Sequence, residues 1–165
     1  MSTPTLTSSI ASIHQSLDEL VSRVKDLPED LLRWNPSQEE WSIMQILCHV
    51  EEAVQYWLDE VERLLVSPGS EWGRGLQDEK RLEAVGQEKV AGTSREKILN
   101  ALVELKPRVA ETLNKLNDET LAQEAPSRNP RFGVKPLSFI VDHLLVDHSA
   151  KHLRQVERNI SKANL

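Results

Sequence analysis

The chain has little cysteine and no long apolar run, and both absences narrow where it can work. Cys48 is the single cysteine, which excludes an internal disulfide and fits a reducing compartment. No apolar run approaches the roughly 20 residues that a helix needs to cross a bilayer. The first residues, Met1 to Thr5, have neither the basic start nor the apolar block of a secretory signal. We therefore expect a cytoplasmic protein without a membrane partner.

The chain also lacks an excess of basic residues. Its formal net charge is -6, whereas a general nucleic-acid surface needs a basic excess, so we expect no nucleic-acid partner. Glycine and proline are few, at 6 and 8 residues, and 28% of residues are charged, which favours a folded chain over a disordered one. The length of 165 residues predicts a single domain, 1–165, with a substantial apolar core.

Period-two alternation is missing too, so we expect no β-sheet. Apolar residues instead recur in alternating steps of four and three, which is typical of helices packed against near-parallel neighbours. Four such stripes cover most of the chain: Leu6 to Leu27, Ile43 to Leu65, Ile98 to Leu116 and Leu137 to Val156. This pattern predicts an all-α fold, an antiparallel four-helix bundle with a long connection between helices 2 and 3.

Capping and helix-breaking residues predict the helix boundaries. Helix 1 should end at Pro28, and helix 2 should start near Trp41 or Ser42. A capping box of Thr93 and Glu96 should open helix 3. Helix 4 should begin at Pro136 and run to about Ser161. Pro107 should bend helix 3. A helical turn is expected at Asp118 to Gln123. Trp34 and Trp41 are interpreted as plugs at the end of the core.

The connection of residues 67–92 is unusually long for a compact domain, and such a segment often shapes a binding site or crosses over a bundle. We expect a short helix around Leu76 to Val85, with Leu82 and Val85 turned inward. Trp72 either covers an opening or anchors the connection. In the later connection, Arg128 and Arg131 either meet an anionic ligand or lie on a solvated loop.

Two histidines near the end of the chain point to the chemistry. His148 and His152 are four residues apart, so they share one face of helix 4, in line with Leu137, Val141, Leu144, Leu145 and Val156. An imidazole turned into an apolar interior needs a partner. His49 lies at the margin of the stripe of helix 2, and bundle cores build metal sites from facing helices. We therefore predict a metal site formed by His49, His148 and His152.

Three neutral imidazoles hold a divalent ion and leave positions open for water or substrate, which is more typical of a catalytic site than of a structural one. Imidazole accepts zinc, nickel, copper or iron, so the ligands do not select the metal. Glu51, Glu52 and Asp147 are candidates to support the ligands, and Gln155 is a candidate to orient a ligand or the substrate. The alternative is that the histidines are simply hydrogen-bonded within the core.

The other reactive side chains have simpler interpretations. His14 lies one turn before Asp18, and it either pairs with that carboxylate or faces water. His143 is turned away from His148 and is interpreted as a surface or subunit-contact residue. Cys48 is interpreted as a small buried apolar residue, with a catalytic role as the minor alternative. The sequence has no glycine-rich phosphate loop, no Gly-x-Ser-x-Gly and no His-Glu-x-x-His.

Two segments resemble the DinB-like (DinB/YfiT-like) superfamily. They are Trp41-Ser42-Ile43, followed by His49, and His148-x-x-x-His152-x-x-Gln155. The resemblance implies a four-helix bundle that holds a divalent ion through His49, His148 and His152, often in a homodimer. Some members transfer low-molecular-weight thiols such as bacillithiol or mycothiol, and others are hydrolases or isomerases of thiol conjugates. Many relatives have an acidic residue after the first histidine of the pair, where this chain has Ser149.

Two functions follow as hypotheses. The first is a divalent-metal-dependent enzyme, with zinc, nickel or iron, that acts on a small-molecule substrate as a thiol S-transferase or a hydrolase of thiol conjugates. The second is a non-catalytic metal-binding stress or interaction protein that works as a dimer. The sequence contains no motif that identifies the substrate.

Overall fold

The computed structural model describes residues 4–75 and 78–164. The described chain forms, in order, α1 (Pro4–Val24), α2 (Glu29–Arg33), α3 (Ile43–Val66), α4 (Glu79–Ala84), α5 (Gln87–Ala91), α6 (Arg95–Leu113), α7 (Asp118–Ala122), β1 (Glu124–Pro126), β2 (Val134–Pro136), α8 (Leu137–Phe139), a π-helical segment (Ile140–Asp147) and α9 (His148–Ala163). The last three are consecutive and form one C-terminal helix, residues 137–163. This helix, α1, α3 and α6 form the predicted four-helix bundle.

Polar contacts fix the directions of the four helices. Arg95, at the start of α6, donates to the carbonyl of Lys25, just beyond the end of α1, at 2.8 Å. Further along, Lys106 pairs with Asp18 at 2.8 Å, so α1 and α6 run antiparallel. The C-terminal helix and α3 are also antiparallel, because Asn159 near its end bonds to the carbonyl of Trp41, which precedes α3.

The middle helices α3 and α6, by contrast, run parallel. Arg108 of α6 pairs with Asp59 of α3. Further along both helices in the same direction, Lys115 of α6 pairs with Glu62 of α3 at 3.0 Å. Because the end of α3 and the start of α6 therefore lie at opposite ends of the bundle, the chain must travel the length of the bundle between them. This geometry explains the predicted long connection.

Apolar side chains from all four helices form one core. Alternating steps of three and four place an apolar row of α1 against the other helices, and its members are almost fully buried: Leu6, Ile13, Leu17, Leu20 and Val24. The longest row belongs to α3. The C-terminal helix contributes Leu137, Ile140, Val141, Leu145 and Val156. Leu144, expected on the inward face, is only half-buried, because the π-helical segment changes the angular spacing of side chains.

The expectation of no β-sheet is wrong. β1 and β2 pair antiparallel, with Ala125 opposite Lys135, and the backbone of Trp72 forms an isolated bridge with Ser127. Strands of three residues are too short to show period-two alternation, so the pattern gave no warning. Trp72 is 1% exposed and its indole N–H donates to the carbonyl of Ala125 at 2.8 Å. Trp72 is thus an anchor rather than a cover.

The connection of residues 67–92 contains two short helices, α4 and α5, rather than one. Leu82 is 43% exposed, so its predicted inward position is wrong, and Val85 is half-buried. Within α4 and α5 the buried residues are instead Ala84 and Val90. Leu76, the predicted first residue of this helix, lies outside the described residues.

Two further local predictions are corrected. Ser94, not Thr93, caps α6 by accepting from the N–H of Lys97 at 3.1 Å, while the Thr93 hydroxyl donates to the carbonyl of Lys89 at 2.7 Å. Trp34 is 37% exposed and is not a plug of the core. The predicted helical turn after residue 117 is present as α7, which Asn117 caps.

Candidate metal centre

The start of α3 positions His49. Ser42 accepts a hydrogen bond from the N–H of Gln45 at 3.1 Å, and the Gln45 side chain accepts one from the N–H of Ser42 at 2.9 Å. This capping box fixes where the helix begins and hence which residues face inward. His49, two turns into α3, is 3% exposed and faces the C-terminal helix.

His148 and His152, one turn apart at the start of α9, meet His49 there. Nε2 of His148 lies 3.2 Å from Nε2 of His49 and 2.9 Å from Nε2 of His152. Candidate ligand atoms of the three residues all lie within 4.8 Å of one another. Helices far apart in sequence therefore bring one nitrogen from each ring to a common point.

His49, His148 and His152 are called the trio below. Hydrogen bonds among them cannot satisfy all three rings. Nδ1 of His152 donates to Oε1 of Gln155 at 2.6 Å, so in the neutral ring Nε2 of His152 is an acceptor. Nε2 of His148 carries at most one proton, which it can donate to Nε2 of His49 or to Nε2 of His152 but not to both. Among the described residues, Nδ1 of His49 is buried without a partner. A divalent ion coordinated by the three Nε2 atoms fits this donor set, and the nitrogen ligands suit zinc, nickel or iron.

The rings are held neutral, which is the state that coordinates a metal. Burial lowers the pKa of His49 to about 2, and the neighbouring imidazoles lower it further. Burial and the proximity of His152 lower the pKa of His148 to about 3. Burial lowers the pKa of His152 to about 4, although its bond to Gln155 opposes this.

Trp41 forms one wall of the site. Its ring lies 4.9 Å from the ring of His49 and stacks at 6.2 Å on that of His152, measured between centroids. Nδ2 of Asn159, a fully buried residue, donates to the Trp41 carbonyl at 2.9 Å. The sequence suggested only a core plug at Trp41. Its position one residue before the helix cap was the available signal for a role at the site.

A cavity of about 320 Å³ opens onto the histidines. Three basic and two acidic side chains line it: Arg81, Lys151, Arg158, Glu39 and Glu40. Trp41, Ile46 and Gln155 complete the lining. Sequence reasoning did not associate Arg81 with the site, because α4 lies in the irregular connection. The cavity gives a small molecule access to the trio.

The carboxylates suggested as supports of the ligands lie elsewhere. Glu52 accepts from Arg74 at 2.7 Å, and the exposed Asp147 pairs with His143 at 3.0 Å. Glu51 lines a different cavity, of about 750 Å³, which contains no histidine. Gln155 alone of the four candidates contacts a ligand candidate directly.

The remaining histidines and the cysteine take no part in the trio. Nε2 of His14 donates to the carbonyl of Lys106 at 2.8 Å rather than pairing with Asp18, and the residue is half-buried. His143 is exposed. Cys48 is buried, and burial raises the pKa of its thiol, which fits the apolar interpretation.

Fold and site together define a four-helix bundle with three histidines clustered between α3 and α9. The chain belongs to the DinB superfamily, whose model matches residues 12–156, and the resemblance seen in the sequence is confirmed. The fold is similar to that of YfiT from Bacillus subtilis, described as a probable metal-dependent hydrolase with an unusual four-helix bundle topology. The TM-score is 0.82 at 15% identity, over 99% of this chain and 90% of YfiT.

Two negative findings complete the comparison. No curated protein matches the sequence. In the described parts of the chain, no helix combines the length and apolar character needed to span a membrane.

Proposed function

We propose that the protein is a divalent-metal-dependent enzyme whose ion is held by Nε2 of His49, His148 and His152. The observation that carries the proposal is the convergence of the Nε2 atoms of three neutral imidazoles, of which His49 and His152 are buried and His148 is half-buried, and which hydrogen bonds to one another cannot all satisfy. The description of YfiT as a probable metal-dependent hydrolase supports it. The ion would be zinc, nickel or iron.

Other side chains of the site would prepare it for the ion. Gln155 retains the proton of His152 on Nδ1 and so directs the Nε2 lone pair towards the other two rings. Trp41 packs against two rings and excludes water from one side. The cavity that Arg81 and Lys151 line opens onto all three histidines, and the substrate would enter there.

The reaction would use a nucleophile delivered through this cavity. A divalent ion, when bound, lowers the pKa of a water molecule or a thiol that coordinates it. Water as nucleophile gives hydrolysis, for example of a thiol conjugate, and this is the activity that YfiT's description favours. A low-molecular-weight thiol as nucleophile gives S-transfer, the second candidate, because the resemblance to the DinB-like superfamily implies thiol transferases as well as hydrolases.

Metal-dependent stability tests the site. Chelator-treated wild-type protein should gain melting temperature when zinc or nickel is added, since a ligand that binds only the folded state stabilises it by about 2.7 kcal/mol at one hundred times its Kd. His148→Ala should remove this gain. His143→Ala, an exposed histidine on the same helix, should retain it. Equal melting temperatures for stripped and metal-loaded wild-type protein would refute the proposal.

Two assays with metal-loaded protein separate the candidate reactions. Cleavage of thioesters without added thiol would identify a hydrolase. Conjugation of a thiol to 1-chloro-2,4-dinitrobenzene, with release of chloride, would identify an S-transferase. His152→Ala should abolish whichever activity is found. Stoichiometric metal without turnover in either assay would favour the non-catalytic stress or interaction protein.

We also propose that the protein works as a homodimer, as its family resemblance implies, and in the cytoplasm, since its single cysteine fits a reducing compartment. Light scattering coupled to size-exclusion chromatography tests the dimer. A mass corresponding to one chain of 18.7 kDa at micromolar concentration would contradict it.

A further inference from the structure

The cavity in front of the histidines has an electrostatic character opposite to that of the whole protein. The chain carries a net charge of -6, whereas the cavity is lined by three basic side chains against two acidic ones. Glu40 is already engaged by Lys162 at 2.7 Å and by Arg158 at 3.6 Å. Arg81 and Lys151 thus give the approach to the trio a positive potential.

Arg81 is held in this position by the packing of α4 on α3. Arg74, whose side chain is almost fully buried, bonds to Glu52 of α3 at 2.7 Å and reaches Asp78 at 3.5 Å. Asp78 in turn caps α4 by accepting from the backbone N–H of Arg81 at 3.1 Å. The chain Glu52–Arg74–Asp78 therefore fixes the start of α4 and places Arg81 on the same cavity as His49.

The surroundings of Arg81 favour a negative charge. Burial lowers the pKa of the half-buried guanidinium and the positive charge of Arg74 lowers it further, while the carboxylates of Glu52 and Asp78 only partly oppose this shift. An anion in the cavity would be attracted by the charges of Arg81 and Lys151, and a divalent ion on the neutral histidines would strengthen this attraction.

We propose that Arg81 determines substrate specificity by binding a carboxylate of the substrate while another group of that substrate reaches the ion at the three histidines. This inference rests on the proposed metal centre. The planar fork of an arginine matches a carboxylate through two parallel hydrogen bonds. Glu39 and Glu40 line the same cavity and disfavour a second negative charge, so a monoanionic carboxylate fits better than a dianionic phosphate.

A pair of thiols of equal size isolates the contribution of the carboxylate. In 3-mercaptopropionate and 3-mercaptopropanamide the sulfur is the same, and only the acid carries a charge at the far end. Their affinities for zinc-loaded protein are measured by isothermal titration calorimetry, a readout that does not depend on turnover. The ratio of the two affinities reports on the group that meets the carboxylate.

Three variants complete the experiment. Arg81→Gln removes the charge, and Arg81→Lys keeps the charge without the fork. Lys80→Gln is the matched control, because Lys80 is the preceding, exposed residue of α4 and lines the other cavity. A cooperative thermal transition of each unliganded zinc-loaded variant shows that it folds.

Wild type and Lys80→Gln should prefer the acid about tenfold, the effect of a charge-assisted pair worth about 1.4 kcal/mol. Arg81→Gln should bring the ratio close to one, and Arg81→Lys should give an intermediate value. If zinc binds but the acid has no advantage in wild type, or keeps its advantage in Arg81→Gln, the inference about Arg81 is refuted and the metal centre stands. If wild type binds no zinc, both fail.

Discussion

Gln155 accepts a hydrogen bond at 2.6 Å from Nδ1 of His152, a residue one helical turn earlier on α9. This contact fixes the tautomer of His152 and orients its ring, because the proton on Nδ1 leaves Nε2 with a lone pair. Nε2 then lies 2.9 Å from the corresponding nitrogen of His148. The convergence of the trio thus depends on a residue that is not itself a metal ligand.

Replacement of Gln155 should weaken metal binding without disrupting the fold. Residues that orient metal ligands typically contribute about 10–100-fold to metal affinity, so we expect a loss of that size in Gln155→Leu. Gln155→Glu keeps an acceptor oxygen and should retain most of the affinity. Competition with a chromophoric chelator measures the Kd for zinc. An unchanged Kd in Gln155→Leu would show that the contact does not support the site.

Asn159 should couple the stability of the bundle to the site through Trp41. Its Nδ2 donates to the Trp41 carbonyl in a fully buried position, and removal of a buried hydrogen-bond partner costs about 1–3 kcal/mol. Asn159→Ala should therefore lower the free energy of unfolding by about that amount and weaken zinc binding. Asn164→Ala, at an exposed position, serves as control. A loss of stability with unchanged zinc affinity would separate Trp41 from the metal site.

Glu60 should make the protein sensitive to acid. It is a buried carboxylate that accepts from Arg63 at 2.7 Å, from the N–H of Gly73 at 2.8 Å and from the hydroxyl of Tyr56 at 3.1 Å. Burial raises the pKa of its carboxyl, but the bonds from Arg63 and Gly73 outweigh that effect, so the pKa lies below its usual 4.5. The stabilisation is therefore complete above pH 4.5 and is lost as the pH falls through the lowered pKa.

Denaturant unfolding between pH 7 and pH 3 measures this contribution. Glu60→Gln should lose about 2–3 kcal/mol at pH 7, since hydrogen bonds to a charged group are being replaced. The two proteins should approach each other in stability at the acid end, where wild-type Glu60 is protonated. Glu71→Gln, an exposed carboxylate nearby, should follow wild type. Parallel curves for wild type and Glu60→Gln would contradict the account.

The bundle could be predicted from sequence because its signals are periodic and local. The four apolar stripes predicted the helices, and the start of α3 was predicted near Trp41 or Ser42. The parallel direction of α3 and α6 could not be predicted in this way, since it depends on contacts such as Arg108 with Asp59 between distant segments. The π-helical segment could not be predicted either, because its side-chain spacing departs from the 3.6-residue period by which the helices were identified.

For the candidate site, too, some residues could be predicted from the sequence and others could not. The trio and Gln155 could be proposed from spacing on two helices and from the family resemblance. Arg81 could not, because α4 has one turn and its orientation is set by the Arg74 bridge between Glu52 and Asp78. Glu52 was expected near the ligands from its sequence distance to His49, but its partner is that arginine.

X-ray absorption at the zinc edge of the loaded protein tests the central claim most directly. The account predicts one zinc ion per chain, with scattering from three imidazole rings at about 2.0–2.1 Å. His148→Ala should lose one ring from this spectrum, or the ion altogether, while His143→Ala should match wild type. A spectrum without imidazole scattering, or one that His148→Ala leaves unchanged, would show that His49, His148 and His152 do not form a metal centre.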